Sequence, residues 1–341
     1  MIKTDNENRI EWLDILKGIL IISVIVTHST ISSDVARVTR WFNMPVFFIV
    51  SGYLMRIGDS FEPLQWAKKK LVSLMLPYIC WFILCSAIEG SLSLPWLLYG
   101  IYGGRNTGGV YWFITVLLLG ELLVYVIEHK AGKKKLPCYA ACYIAAIALS
   151  LLNVPALPWD IDVAPMAAAL VGTGYNIRQK QNSSVELPTK TRWIILACGI
   201  AVVACTPLLL KYTTYDVEMK NGMYGSPVLF PVVTAGYAIV LAAASMLIAK
   251  IPVISVVMGY IGRISLVIMY LHRLVMNNIF VSAFGWGFSR PLFTVAAIVI
   301  SAAAFEASDR FGITRILFLG KKPIKNITKR EANAERKNLG A

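Results

Sequence analysis

Ten apolar runs constrain this chain more than any other feature of it. They fall near residues 12–31, 41–56, 71–88, 110–128, 137–152, 161–178, 193–210, 228–249, 254–281 and 291–310. About 20 apolar residues in a helix span the hydrocarbon core of a bilayer, where only helices and closed barrels satisfy every backbone N–H and C=O internally. Composition points the same way: 57% of residues are hydrophobic and only 15% charged, against about 45–50% and about 25% in soluble domains. The expected fold is an all-α integral membrane protein with about ten transmembrane helices. Several runs, notably the second, are shorter than an upright helix needs, so tilt, re-entry or burial inside the bundle is expected there. The first run lacks a small-residue cleavage site and is expected to stay as a helix.

Orientation follows from the basic residues. With the N-terminus cytoplasmic, 24 lysines and arginines fall on the inner side and 6 on the outer. Cytoplasmic loops carry such an excess, so both termini are expected inside. The chain then divides into a cytoplasmic N-terminal segment, 1–11, a membrane domain, 12–310, and a basic cytoplasmic tail, 311–341, placed to touch anionic lipid. The net charge of +14 is accounted for by these loops and by the tail, which argues for a lipid bilayer as partner and against nucleic acid.

The first run carries a cation, an anion and a histidine. Lys17 and His28 are eleven positions apart, nearly three helical turns, so they share a face and sit roughly 16 Å apart along the axis. Asp14 meets Lys17 at i, i+3. Ionisable groups inside a spanning helix are costly unless they face a protein interior or a cavity, which gives all three a functional reading. The alternative for Asp14 and Lys17 is an interfacial pair whose long side chains reach the headgroups. Histidine has the pKa to take a hydroxyl proton near neutrality, so His28 is the candidate base. Lys17 is placed to bind a phosphate or carbonyl, and Asp14 keeps it charged.

The six cysteines, Cys80, Cys85, Cys138, Cys142, Cys198 and Cys205, lie in or beside apolar runs with neither metal nor disulfide spacing. The three histidines, His28, His129 and His272, are too scattered for a metal site. The outer loops 91–109, 153–162 and 211–227 combine aromatic rings with amide and acidic side chains. Such loops suit sugar faces and hydroxyls, and equally a membrane-interface aromatic belt.

Four stretches in order resemble the membrane-integral acyltransferase 3 family. The Lys17-to-His28 spacing matches the family's basic residue, ten residues, then histidine. Phe42-Asn-Met-Pro45-Val-Phe47-Phe48-Ile-Val-Ser51-Gly52-Tyr53 is similar to its second-helix motif. Tyr111-Trp112-Phe113 resembles a stretch of its fucose 4-O-acetylase-like branch. Gly262-Arg-Ile-Ser265-Leu-Val-Ile-Met-Tyr270-Leu-His272 resembles a late Tyr-x-x-His segment. The resemblance implies an inner-membrane O-acyltransferase that moves an acyl group, usually acetyl from acetyl-CoA, to a hydroxyl of a glycan or lipid-linked glycan acceptor. It implies His28 and Lys17 as the catalytic pair, which Asp14 joins through its i, i+3 pairing with Lys17, and Ser51, Trp112, Tyr270 and His272 around the acceptor. It also implies a basic pair before the third helix for CoA phosphates. Lys70 fits the first position of that pair, but Ser73 stands at the second, so either Lys68 and Lys69 compensate as point charges or these lysines are an ordinary positive-inside cluster.

Two other classes fit the same residues. A transporter or flippase for a glycan or lipid-linked precursor would also use intramembrane charges and outer aromatic loops. A sensory or assembly protein on a catalytically dead acyltransferase fold would fit the missing second basic residue.

Overall fold

The computed structural model describes residues 10–29, 32–103, 109–182 and 188–322. Residues 1–9 of the expected N-terminal segment, Arg105 of the glycine-rich outer loop, and the tail from residue 323 lie outside the described residues. Among those described, the secondary structure is helical apart from one isolated bridge between Glu218 and Met223.

In chain order the helices are α1 (Glu11–Ser29), α2 (Ser33–Leu54), α3 (Pro63–Lys70), α4 (Leu76–Ile88), α5 (Leu94–Tyr102) and α6 (Trp112–Lys130). Next come α7 (Lys135–Leu151), α8 (Ala164–Asn182), α9 (Thr189–Ala204), α10 (Thr206–Tyr212) and α11 (Leu229–Ile248). The last five are α12 (Pro252–Arg263), α13 (Ser265–Val275), α14 (Ser282–Phe284), α15 (Arg290–Arg310) and α16 (Gly312–Leu319). A π-helical stretch, Leu71–Met75, joins α3 to α4, and another, Met276–Val281, joins α13 to α14.

Among the described residues, eight helices are long and apolar enough to cross a membrane. They are α1, α6, α11 and α15, together with the continuous runs Pro63–Ile88, Gly132–Leu151, Thr189–Tyr212 and Ser265–Gly287. The remaining expected segments differ for identifiable reasons. α2 begins with Asp34, Arg37 and Arg40, and α8 ends in a run of amides and cations, so both are long helices that are apolar over only part of their length. The run expected over 254–281 is two helices, because the chain leaves the helical region at Ile264 (φ −95°, ψ 7°).

α2 and α8 are held inside the bundle by close backbone contact. A Cβ at Gly52 would overlap the Val171 carbonyl, and one at Gly174 would overlap the Ile49 carbonyl. α1 and α12 cross in the same way, with Gly18 against Met258 and Gly262 against the Asp14 carbonyl. Small residues that let backbones meet are the usual device for helix association in lipid, where apolar area between helices gives no drive of its own. The core between these crossings is aromatic: Trp41, Phe48, Tyr78, Tyr270, Phe230 and Phe293 are fully buried. Large side chains such as Leu136, Ile144, Val253 and Val299 are exposed on the bundle's outside. This is the pattern of a protein whose solvent is hydrocarbon.

Candidate functional site

The Gly18–Gly262 crossing fixes α1 against α12 and so presents the far end of α1 to α13. There His28 and His272 meet, with ring centroids 5.2 Å apart and planes tilted by 35°. His272 is fully buried. Its Nδ1 lies 3.0 Å from the Ile268 carbonyl, which can only accept, so Nδ1 carries the hydrogen. In the neutral ring Nε2 then holds the lone pair, and this atom is buried with no hydrogen-bond partner among the described residues.

Both rings line a cavity of about 100 Å³. α1 contributes Thr27 beside His28, and α2 contributes Arg40 and Asn43, while Trp112 and Met269 form an apolar side. Asn43 Nδ2 donates to Thr27 Oγ1 at 3.0 Å, tying α2 to α1 at the cavity's edge. The roof is the segment from Val217 to Lys220. It is anchored by Arg37, whose Nε and Nη2 donate to the carbonyls of Tyr215 and Thr213, both at 2.7 Å. Arg40 adds an ion pair with Asp216 at 2.6 Å. The Tyr215 ring lies 5.0 Å from that of Trp41, tilted by 59°, and burial pushes its phenol pKa up. Tyr215 and Tyr224 are therefore interior residues, whereas Tyr212 is exposed.

A second, smaller cavity of about 40 Å³ lies on the other flank of α13, and Val110 belongs to the walls of both. Gly109 lines the larger cavity and Arg273 the smaller, and the guanidinium packs against Gly109 (φ +106°) so closely that a Cβ there would collide with Nη1. Glu89 is at this cavity's rim. Burial raises its carboxyl pKa, and the charge of Arg273 opposes the rise.

The other residues singled out from the sequence are distributed unevenly. Trp112 is in the larger cavity, and Tyr270 is in the wall of the smaller one. Ser51 donates to the Phe47 carbonyl at 2.9 Å, an internal helix bond outside both cavities. Lys17 and Asp14 form an ion pair of 2.6 Å, but near the opposite end of α1 from His28. Lys68 and Lys69 are exposed. Lys70 is engaged by Glu121 at 2.6 Å, and that carboxylate is buried in the middle of α6. The expected catalytic trio is thus a histidine at one end of α1 and an ion pair at the other, and the partner His28 touches is His272.

Arg40, Asn43, Thr27 and Glu121 escaped the sequence reading, whereas the 217–220 roof lies within the outer loop 211–227 that the sequence reads as suited to sugar faces. For Glu121 the signal was present: an acid within the apolar run 110–128 asks for a partner. Arg37 and Arg40 read as loop charges until their carbonyl and carboxylate partners are in place.

The family model described as "Acyltransferase domain" of the acyltransferase 3 type matches residues 10–305. No curated protein and no solved structure matches the chain.

Proposed function

The chain belongs to the acyltransferase 3 family of membrane acyltransferases, and from that premise we propose that it transfers acetyl from acetyl-CoA to a hydroxyl of an envelope glycan or lipid-linked glycan. The observation that carries this reading is the His28–His272 contact inside a cavity. A free imidazole nitrogen of His28 takes the acceptor's hydroxyl proton as its oxygen bonds to the thioester carbonyl carbon. The C–S bond then breaks, and the departing thiolate takes up the proton that the histidine held. His272, with Nδ1 committed to Ile268, offers a buried lone pair beside this exchange and orients the His28 ring. A positioned base of this kind is worth about 10²–10⁴ in rate.

Lys17 serves the donor's far end. It is roughly 16 Å from His28 along α1, a separation suited to an extended thioester arm whose polar end meets a cation. Asp14 holds that cation in place through their ion pair. Lys68 and Lys69 are free to meet the CoA phosphates as point charges, while Lys70 is occupied by Glu121. The acceptor enters beneath the 217–220 roof, where Arg40 and Asn43 supply polar contacts. In this reading the membrane is the inner, cytoplasmic one.

Membranes containing the protein, supplied with acetyl-CoA labelled in the acetyl group, should place base-labile label on envelope glycan. Membranes lacking it should not. Tight binding of acetyl-CoA or glycan with no label transfer would overturn the enzyme and favour a carrier.

A further inference from the structure

The smaller cavity has properties that the proton-transfer chemistry leaves unused. Its walls include Phe82, Trp96 and Leu274 beside polar side chains, among them Ser86, Glu89, Arg273 and Tyr270. The Tyr270 ring is fixed between Tyr111, 5.6 Å away with planes 29° apart, and Trp81, 6.2 Å away and 21° apart. Its hydroxyl is buried without a hydrogen-bond partner among the described residues. An O–H withheld from water with no acceptor is expensive to maintain, and native structures rarely keep one without a reason.

Position adds to this. On α13, Met269 and His272 face the larger cavity while Tyr270 and Leu274 face the smaller. An acyl transfer needs two compartments that meet: one where a base touches the acceptor hydroxyl, and one that takes the acyl group while its carbonyl carbon stays at the junction. The shared wall at Val110 gives that relation. Resting on the thioester-donor reading above, we propose that the smaller cavity binds the donor's acyl group, with the Tyr270 hydroxyl donating to the thioester carbonyl oxygen and Phe82 and Trp96 limiting chain length.

Size supports the assignment. One water needs about 10–15 Å³ of such volume, so the cavity accepts roughly three atoms of that size. Acetyl, two carbons and one oxygen, matches; a hexanoyl chain does not. The aromatic and aliphatic walls suit the methyl group. The Tyr270 hydroxyl, a buried donor without a partner among the described residues, suits the carbonyl oxygen, and more so as negative charge develops on it.

The test uses membranes containing the full chain and acetyl-CoA or hexanoyl-CoA labelled in the acyl group, with base-labile label on envelope glycan as the readout. The wild type should transfer acetyl at least about tenfold faster than hexanoyl. Phe82→Ala and Trp96→Ala should each raise the hexanoyl-to-acetyl ratio by about tenfold or more. Trp96 is only half-buried, so its variant decides the matter if Phe82→Ala does not fold. Tyr270→Phe keeps the ring stack and should slow both donors about 10²-fold while leaving their ratio unchanged. A wild type indifferent to chain length, or cavity variants that still transfer acetyl with an unmoved ratio, would overturn the acyl site. A wild type that transfers neither label would instead overturn the donor reading on which it rests.

Discussion

At the scale of single residues, the two histidines and the Lys70–Glu121 pair make opposite predictions. His28→Gln keeps polarity and some hydrogen bonding but cannot accept and release a proton near neutrality. It should lower acetyl transfer by about 10²–10⁴ without loss of membrane-inserted protein, measured as labelled product per mole of purified enzyme. Near wild-type turnover in that variant would make His28 structural and shift the base to His272. Lys70→Met leaves Glu121 buried without its cation, a loss of about 3–5 kcal/mol, seen as a lower Tm. Lys70→Met combined with Glu121→Met should regain most of that stability, since apolar replacement of a whole buried pair is commonly neutral. If the double variant is stable yet its KM for acetyl-CoA is raised, Lys70 also meets the donor. His28 and Lys17 were legible because a charged stripe in an apolar run stands out. Their neighbours were not, since which helix faces His28 depends on packing between parts of the chain far apart in sequence.

At the scale of elements, the spans were read from length and hydropathy, and that signal fails where a helix is apolar over only half its length. α2 and α8 are the cases: each buries its apolar half, Trp41 to Gly52 in one and Ala164 to Tyr175 in the other, and carries its polar half toward an end of the bundle. The break at Ile264 was hidden because no proline or glycine marks that position. The glycine crossings give a matched test on α12. Gly262 is packed against the α1 backbone, whereas a Cβ at Gly259 would meet nothing. Gly262→Ala should therefore cost about 1–3 kcal/mol through overpacking, with reduced transfer as the α1–α12 contact opens. Gly259→Ala should be neutral or stabilise by up to about 1 kcal/mol through helix propensity. Thermal unfolding of the two purified variants checks both, and equal effects would show that the crossing is not close.

For the whole molecule, the basic-residue asymmetry predicts that both termini are cytoplasmic. A reporter fused after Ala341 and active only outside the cytoplasm should stay silent; activity would reverse the assignment of inner and outer ends, and with it the side from which acceptor reaches the cavity. The class of the protein and its family motifs could be read from the chain, because lipid imposes a pattern on every span. The cavities could not, because they are what remains between helices after packing, and the roof over the larger one is a loop whose anchors are side chains on α2.

α1 joins the two ends of the proposed reaction in one rigid piece, with the Lys17–Asp14 pair near one end and His28 near the other, and it is locked in register by Gly18 against α12. Such a helix is a ruler. It selects donors by their length as well as by their acyl group, because only a molecule that reaches both marks gains from both. A truncated thioester such as acetyl-N-acetylcysteamine can touch the histidine or the cation but not the two together. It should serve as a far poorer donor than acetyl-CoA, and Lys17→Ala should slow acetyl-CoA while leaving the short thioester's rate unchanged.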